Sequence, residues 1–514
     1  MLKILKNKVV KNLKKVIDNE NQDLQSLLEQ KTKEIEDLKP LYYWFKWYHS
    51  EYAATLRMLQ YNQATLDINN KLIAHRSEFI DIDKVIHKII APPHTNGPFT
   101  KEFIYFAARN VFLPDEKSEQ IKMYSMSYLG NGDFAHSRQA FDAFIDFHDL
   151  TNHSEVVQLE DKAGLVDANN LDKMEYVYSG EYKHFRPFSY NTGDLDGDGK
   201  HDFILGDKLL LSSNNYEYCD GFTVPQESIF LKTHKETLVL SLVDNHIAVR
   251  KYSETHLIEL SNTRISSIIY ENIPHVLFPL PLNNNYPPMF AIRSKQGLDI
   301  YCLNESTMIP ELKWWITGFS EKEMLTGAQG EFIGNGYIDF WISQVATGIS
   351  REICADQILL ISSELLLNSP NGEIPLKEVL YFTVKGSDKY SDYDGISSSL
   401  SPIAGDIDGD GKPDLSFVGH RHMNEAGALY ILLNKDIEQG GVIDITHKNI
   451  IKVLGKPMSQ LAPPYVHWDA TDLTGEGCCD IIVSADNDLY SGLHAGAIYV
   501  LSGKRILSLY NESN

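Results

Sequence analysis

The stretch GDIDGDGKPDLSFVGH, residues 405–420, joins a nine-residue acidic loop to an apolar run. Aspartates occupy positions 1, 3, 5 and 9 of the loop, which spans residues 406–414, and glycine at position 6 permits a sharp turn. Four carboxylates and the main-chain carbonyl at position 7 form the oxygen-rich set that calcium prefers over zinc or copper. Because the run at 415–418 is predicted to be a strand, the stretch indicates a divalent-cation loop on a β-hairpin.

The same loop recurs along the chain. The segments that align with it are GDLDGDGKHDFIL (193–205), GEFIGNGYIDFWI (330–342), TDLTGEGCCDIIV (471–483) and the worn copy LPLNNNYPPMFAI (280–292). A second strand-like piece follows three of the loops, as ADQILLIS (355–362), GALYILL (427–433) and GAIYVLS (496–502). We expect this piece to pair with the strand after the loop across a hairpin.

Loop spacing predicts the architecture of residues 97–510. Loops that start at 281, 331, 406 and 472 are separated by 50, 75 and 66 residues, which gives six or seven units over this region. Short strands punctuated by glycine, proline and asparagine predict an all-β body. Repeated units of this kind are best closed as a ring, so we expect a seven-bladed β-propeller, with six blades as the alternative. A set of β-sandwich domains would give a spacing nearer about 100 residues.

Residues 1–90 differ from the remainder because they contain no glycine. Apolar residues on a seven-residue period (Val10, Ile17, Leu24 and Leu38) predict a coiled-coil-like helix, which Pro40 ends. We expect a helical stalk or an oligomerisation segment. In an alternative interpretation, the lysine-rich, amphipathic first seventeen residues lie on an anionic membrane as a peripheral contact.

Three loops supply candidate metal ligands. The first offers Asp194, Asp196, Asp198, the Lys200 carbonyl and Asp202; the second offers Asp406, Asp408, Asp410, the Lys412 carbonyl and Asp414; and the third, a weaker set, offers Asp472, Thr474, Glu476 and Asp480. Two unit charges 4 Å apart interact by about 4 kcal/mol at an effective dielectric near 20, so a compact turn without a cation is disfavoured. The alternative is a set of solvated acidic turns with splayed carboxylates.

Two other classes of calcium or loop site are not expected. An EF-hand needs a glutamate at position 12, where this chain has Leu205 and Phe417 in strand-like sequence. The loop at 331–339 has Ile333 at position 3, and the worn copy at 281 has no carboxylates, so we expect neither to bind metal.

Charge and composition exclude several functions. The chain has 47 basic and 70 acidic residues, a net charge of −23, which argues against general nucleic-acid binding. Its longest uncharged run, between Glu271 and Arg293, contains five prolines, so no transmembrane span is expected. The five cysteines lack metal-site spacing, and free, mostly buried thiols are expected.

No catalytic residue is assigned from the sequence. The chain has no HExxH, GxSxG or phosphate-loop motif, and we expect surface or core roles for His420, His422 and His467. An enzymatic alternative remains, in which a polysaccharide-processing enzyme uses a carboxylate pair on the propeller face, away from the loops.

The pattern DxDGDGxxD before a strand, with a later GA-x-Y-x-L strand, resembles the FG-GAP or VCBS repeat. Residues 391–420 are similar to one repeat of the integrin α-subunit propeller. The resemblance implies a seven-bladed propeller with structural calcium on one rim, an opposite rim that binds partners or carbohydrate, and a role in cell adhesion. We therefore expect two calcium sites, a third at 472–480, and a binding scaffold for a glycan or protein ligand. The resemblance implies an extracellular or cell-surface location. The absence of a recognisable signal peptide leaves a cytoplasmic alternative.

Overall fold

The computed structural model of the protein describes residue 31 and most of the chain from residue 73 onward. The described residues are 31, 73–91, 101–109, 120–129, 137–146, 156–158, 195–197, 203–205, 208–211, 213, 228–243, 245–253, 256–265, 277–280, 282, 286–294, 297–319, 323–345, 357–387, 403–419, 422–457, 459, 461–462, 472, 475–485 and 497–513. This part of the chain is mostly β. Lys31 is helical, and the remainder of the expected stalk up to residue 72 lies outside the described residues.

Seven sheets, lettered A to G in chain order, are formed by the described residues. Sheet A contains β3 (Lys101–Arg109), β4 (Gln120–Leu129) and β5 (Ser137–Asp146), and sheet B contains β7 (Phe203–Leu205) and β8 (Lys208–Leu210). Sheet C contains β9 (Ser228–Lys232), β10 (Thr237–Val243), β11 (His246–Ser253) and β12 (His256–Arg264). Sheet D contains β13 (Leu277–Leu280), β14 (Met289–Ser294), β15 (Gly297–Asn304), β16 (Ile309–Thr317) and β20 (Gly372–Pro375).

The remaining three sheets each have five strands. Sheet E contains β17 (Glu323–Gly330), β18 (Asp339–Val345), β19 (Gln357–Ile361), β21 (Leu380–Lys385) and β25 (Gly441–Asp444). Sheet F contains β22 (Ile403–Gly405), β23 (Asp414–Gly419), β24 (Ala428–Leu432), β26 (Ile451–Leu454) and β1 (Ile80–Asp81). Sheet G contains β27 (Leu461–Ala462), β28 (Ile481–Ala485), β29 (Ala497–Leu501), β2 (Ile86–Ala91) and β6 (Val156–Gln158).

Helices within the described residues are few, and most are short. They are α1 (Ile73–Arg76), a 3-10 turn (Ile82–Lys84), α2 (Ser363–Leu367), α3 (Leu376–Val379), α4 (His422–Glu425), α5 (Asn434–Ile437) and α6 (Gly503–Ser513). Across the described ranges, no helix combines the length and the apolar character that a membrane crossing requires.

The predicted loop-strand-hairpin unit is present in sheets E, F and G. The strand after each loop (β18, β23 or β28) pairs antiparallel with the strand that carries the second repeated piece (β19, β24 or β29). The strand prediction at position 12 is confirmed, because Leu205 lies in β7 and Phe417 lies in β23. The helical EF-hand geometry is thereby excluded at both loops.

Sheets D to G each gain a short parallel strand from another segment of the chain. In sheet D this strand is β20, and in sheet E it is β25. Each comes from the connection between the third and fourth strands of the next sheet, after helix α2 or α5. Strands β1 and β6 pair in parallel with the outer strands of sheets F and G in the same way. The outer edge of these sheets is therefore paired, which limits edge-to-edge association.

Sheet G joins the two ends of the described chain. Strand β2 pairs antiparallel with β29, with Ile86 opposite Leu501 and Ile89 opposite Tyr499. Among the described residues the first strands are β1 and β2, which lie at the end of the range 1–90 that was expected to be helical. Local sequence patterns miss this pairing because its partner lies about four hundred residues away.

Successive sheets pack face to face through a buried core. In β24 of sheet F, Tyr430 and Leu432 belong to the cluster shared with sheet E, whereas Leu429 and Ile431 belong to the cluster shared with sheet G. This alternation is the two-residue period of a strand that is buried on both faces. Further clusters join sheet C to D and sheet D to E. Each fully buried side chain of this size contributes about 1.5–3 kcal/mol, so these interfaces dominate stability.

Candidate metal centre

The loop 406–414 brings three of its four carboxylates together. Oxygens of Asp406, Asp408 and Asp414 all lie within 4.8 Å of one another. The loop connects β22 to β23, and Gly409 and Gly411 within it have φ of 75° and 87°. These left-handed values suit glycine because it has no Cβ. The predicted glycine at position 6 therefore has its expected conformational role.

Position 1 of this loop organises the turn through hydrogen bonds. The Asp406 carboxylate accepts from the backbone N–H of Asp410 at 2.9 Å and of Gly411 at 2.8 Å. These bonds hold the aspartates in a compact turn and offset part of their mutual repulsion. Because backbone N–H groups offset the repulsion between the carboxylates, the compactness of the loop is not by itself evidence of a cation.

Position 9 carries a fully buried carboxylate. Asp414 accepts from the N–H groups of Ile407 at 2.8 Å, Asp408 at 3.2 Å and Asn434 at 2.7 Å. Burial raises the pKa of Asp414 to about 7 in spite of these bonds. A divalent cation would oppose that effect by favouring the ionised carboxylate.

The strongest indication of a ligand comes from Asp408. Its Oδ1 atom is buried and has no hydrogen-bond partner among the described residues. Burial, then the charge of Asp410, raises the pKa of Asp408. A buried oxygen without a donor carries a large desolvation cost unless a cation compensates it. The residues of this loop therefore fit a hard divalent ion such as calcium.

The Asp410 carboxylate, a predicted ligand of the second loop, is not part of this cluster. The Asp410 side chain is exposed, and its carboxylate accepts from the N–H of Lys412 at 2.9 Å. The Lys412 ammonium donates to the carboxylate of Glu438, at the end of α5. Asp410 thus serves the turn instead of the three-carboxylate cluster.

The third loop has similar hydrogen bonds without the cluster. Asp472 accepts from the N–H of Glu476 at 2.9 Å and of Gly477 at 2.8 Å. The Glu476 carboxylate accepts from the Ser502 hydroxyl at 2.7 Å, and buried Asp480 accepts from the N–H of Gly503 at 3.2 Å. Where the structure describes this loop, its acidic residues form no three-ligand group. Thr474 lies outside the described residues.

The first loop is described only in part. Leu195, Asp196 and Gly197 are described, and Asp196 accepts a hydrogen bond from the Ser213 hydroxyl. The other predicted ligands of this loop, Asp194, Asp198, Lys200 and Asp202, lie outside the described residues.

The loop at 331–339 keeps the structural hydrogen bonds at positions 1 and 9 although it lacks the set of calcium ligands. It lacks carboxylates at positions 3 and 5, yet Glu331 at position 1 accepts from the N–H of Gly336 at 2.8 Å. Asp339 at position 9 is fully buried and accepts from the N–H of Ser363 at 2.9 Å. Burial raises its pKa to about 7. Positions 1 and 9 therefore have structural partners even in a loop that offers no calcium set.

The loops contact one another in chain order. The N–H of Ile338, at position 8, donates to the carbonyl of Leu282 at 2.9 Å, and the N–H of Cys479, also at position 8, donates to the carbonyl of Asp406 at 2.8 Å. Pro413 has no N–H at the equivalent position. There the Asn434 side chain donates to the carbonyl of Phe332 at 2.9 Å. Four loops consequently lie along one edge of the stacked sheets.

Two further expectations can be compared with the structure. His422 is fully buried, its Nδ1 lies 2.5 Å from the Tyr430 hydroxyl, and burial lowers its pKa to about 4. The expected surface or core role, rather than an acid/base role, fits this neutral core position; His420 and His467 are outside the described residues. Cys302 is a buried thiol, Cys478 and Cys479 are half-buried thiols, and none of the three forms a disulfide within the described residues.

Comparison with known proteins identifies no relative of this chain. No family model matches this chain, and no curated protein matches it. The chemistry open to the cluster at Asp406 is therefore judged from geometry alone. Three hard oxygen ligands in a half-buried hairpin loop suit a structural ion that holds a loop in place.

Proposed function

We propose that this chain is a calcium-stabilised β-propeller of the FG-GAP type that acts as a binding scaffold for a glycan or protein ligand. The observation that carries the proposal is the cluster of Asp406, Asp408 and Asp414, in which a buried Asp408 oxygen has no described hydrogen-bond donor. Calcium at this loop stabilises the edge of sheet F and the contacts with the neighbouring loops.

Sheet order supports a ring of seven blades. Sheets C to G share successive buried clusters, and Leu195 and Leu211, on either side of sheet B in the chain, pack in a cluster with sheet C. Sheet G takes β2, which precedes sheet A in the chain, and β6, which follows it, so the last unit is completed by residues from the beginning of the β region. In this arrangement the seven sheets A to G are the seven blades, and the loops lie on one rim.

Thermal unfolding of the full chain in calcium and in chelator tests the proposal. A ligand at about 100 times its Kd adds about 2.7 kcal/mol of stability, so calcium should raise the melting temperature clearly. The variant Asp408→Asn should lose the part of this rise that the loop 406–414 supplies, whereas the matched control Glu331→Gln, in the loop without the calcium set, should keep the full rise. Equal melting of the parent chain in calcium and chelator contradicts the proposal.

A second candidate is a polysaccharide-processing enzyme, favoured by one observation. Glu305 and Glu311 line the same cleft, outside the metal loops. Hydrogen bonds from Lys313 and Asn304 lower the pKa of Glu311, so this carboxylate stays ionised near neutral pH and does not suit the general-acid role. Release of reducing sugar from neutral polysaccharides, abolished by Glu305→Gln, would support this candidate; no release would remove it.

A further inference from the structure

A cleft of about 580 Å³ lies where sheets C and D meet the α2 region of sheet E. This volume is in the range of sites that hold small organic ligands. Its inner wall is apolar and includes Met289, Leu303 and Trp314, which are all buried. The cleft is open to solvent on its outer side, where polar side chains surround it.

The worn loop at 281–289 supplies the exposed aromatic side chain of this cleft. Position 6, which is glycine in the other loops, is Tyr286 here, and its exposed fraction is 36%. Pro287 follows it and lines the same cleft. The loop that lacks carboxylates therefore presents a rigid apolar surface. The mismatch between this loop and the metal pattern does not indicate that surface.

Polar groups of the cleft occur in close pairs. The Glu311 carboxylate lies 3.1 Å from the Lys313 ammonium, and His234 Nδ1 lies 2.5 Å from the Glu305 carboxylate. Asn304 donates to Glu311 at 3.5 Å, and exposed Asn371 also lines the cleft. The cleft therefore presents both donors and acceptors, and the charge of the Glu311 carboxylate is compensated by the Lys313 ammonium.

We propose that this cleft binds an uncharged saccharide, with a sugar ring packed on Tyr286 and its hydroxyl groups bonded to the Glu311–Lys313 pair and Asn371. A sugar hydroxyl both donates and accepts, so it can bond to a carboxylate and an ammonium at once. The ring of tyrosine offers a flat apolar face at small entropic cost. A charged ligand would meet the opposite charge of the Glu311–Lys313 pair beside the group that attracts it.

The proposal specifies the ligand class and site of the binding scaffold, and rests on that proposed function. The test is binding of the full chain, in calcium, to immobilised gluco-, galacto-, manno- and xylo-configured neutral oligosaccharides, with sialylated and sulfated glycans as comparison. Titration calorimetry then measures the affinity for the best neutral glycan. We expect neutral glycans to bind and acidic ones to bind no better.

Variants locate the site. Tyr286→Ala and Glu311→Gln should each weaken binding of the neutral glycan at least about tenfold, which corresponds to about 1.4 kcal/mol. Tyr286→Phe should retain binding because it keeps the ring, and Val442→Ala, at an exposed apolar position in sheet E, should have no effect. Each variant must have the melting temperature of the parent chain, so that a loss of binding is not caused by unfolding.

Failure of this proposal is distinguishable from failure of the scaffold proposal. No neutral glycan bound, binding of acidic glycans only, or binding unaffected by both cleft substitutions would overturn the cleft assignment. The calcium-dependent melting of the same preparations is an independent measurement. A chain that melts equally with and without calcium yet binds neutral glycans through Tyr286 would remove the calcium role and retain the cleft.

Discussion

The carboxylate of Asp414 accepts a hydrogen bond from the backbone N–H of Asn434, at 2.7 Å, and so fixes the end of the metal loop to the first residue of α5. Asp339 bonds Ser363 at the start of α2, and Asp480 bonds Gly503 at the start of α6, in the same manner. Three loops thus use the position-9 aspartate to join the strand after the loop to the helix after the hairpin. A metal ligand at Asp414 would be a second role for a residue that already has this one.

Two substitutions can distinguish the structural role of the position-9 aspartate from its role as a metal ligand. Asp414→Ala and Asp339→Ala each leave a buried helix N–H without its acceptor, which should cost about 1–3 kcal/mol in either loop. Only Asp414→Ala should also reduce the stabilisation by calcium, by the share that its own loop supplies, because the loop at Asp339 lacks the calcium set. Chemical denaturation with and without calcium measures both effects. If Asp339→Ala left stability unchanged, the structural role of position 9 would be wrong.

Buried Asp339 predicts a pH dependence of stability. Burial raises its pKa to about 7 in the folded chain, from 3.8. Between about pH 4 and pH 7 the folded state holds this proton while the unfolded chain releases it. The contribution of Asp339 therefore decreases as pH rises through this window and is constant above it. Asp339→Asn should flatten the stability profile from about pH 4 to 7.

Urea denaturation at several pH values measures the slope of that profile. The exposed acidic residue Glu378, in α3, provides the matched control, and Glu378→Gln should leave the slope as it is in the parent chain. An unchanged slope in Asp339→Asn would show that Asp339 ionises in the folded chain as it does in water.

The parts of the structure that could be predicted from sequence are those determined by local patterns. Aspartate and glycine at fixed spacing predicted the turn at 406–414 and the strand that follows, because these features depend on residues within the loop itself. The two roles of Asp414 were not separable, since its partner Asn434 lies in a helix that no loop pattern specifies. Asp410 matched the ligand pattern, yet its carboxylate bonds the N–H of Lys412 instead.

Features that depend on distant segments were missed. The apolar residues at 80–91 look like a continuation of the helical region, and only their pairing with β26 and β29 makes them strands. The cleft at Tyr286 combines side chains from three sheets, so no contiguous motif identifies it. No local pattern indicated a binding role for the worn loop at 281–289.

The strand pairing in sheet G predicts that the N-terminal strands β1 and β2 are required for stability. A chain beginning at residue 73 keeps β1 and β2, whereas one beginning at residue 92 loses them and exposes β29 as an edge. It also loses Ile82 and Val85, which are fully buried in the cluster between sheets F and G. We expect the first truncation to melt near the full chain and the second to be much less stable or aggregated. Size-exclusion chromatography and thermal unfolding distinguish these outcomes, and equal stability of both truncations would contradict the pairing.

Gly427, the first residue of the GALYILL segment, has a packing role that a substitution can test. Its φ is 77°, and a Cβ there would lie 2.4 Å from the backbone nitrogen of Leu461 in β27. Gly336 has a nearly equal φ of 81° but open space around it, so it is the matched control. Gly336→Ala should cost only the left-handed strain, about 1–2 kcal/mol. Gly427→Ala should cost more, because the contact between sheets F and G must also shift. If denaturation gave equal losses for the two variants, backbone conformation alone would explain the glycine, and the close approach of β27 would be wrong.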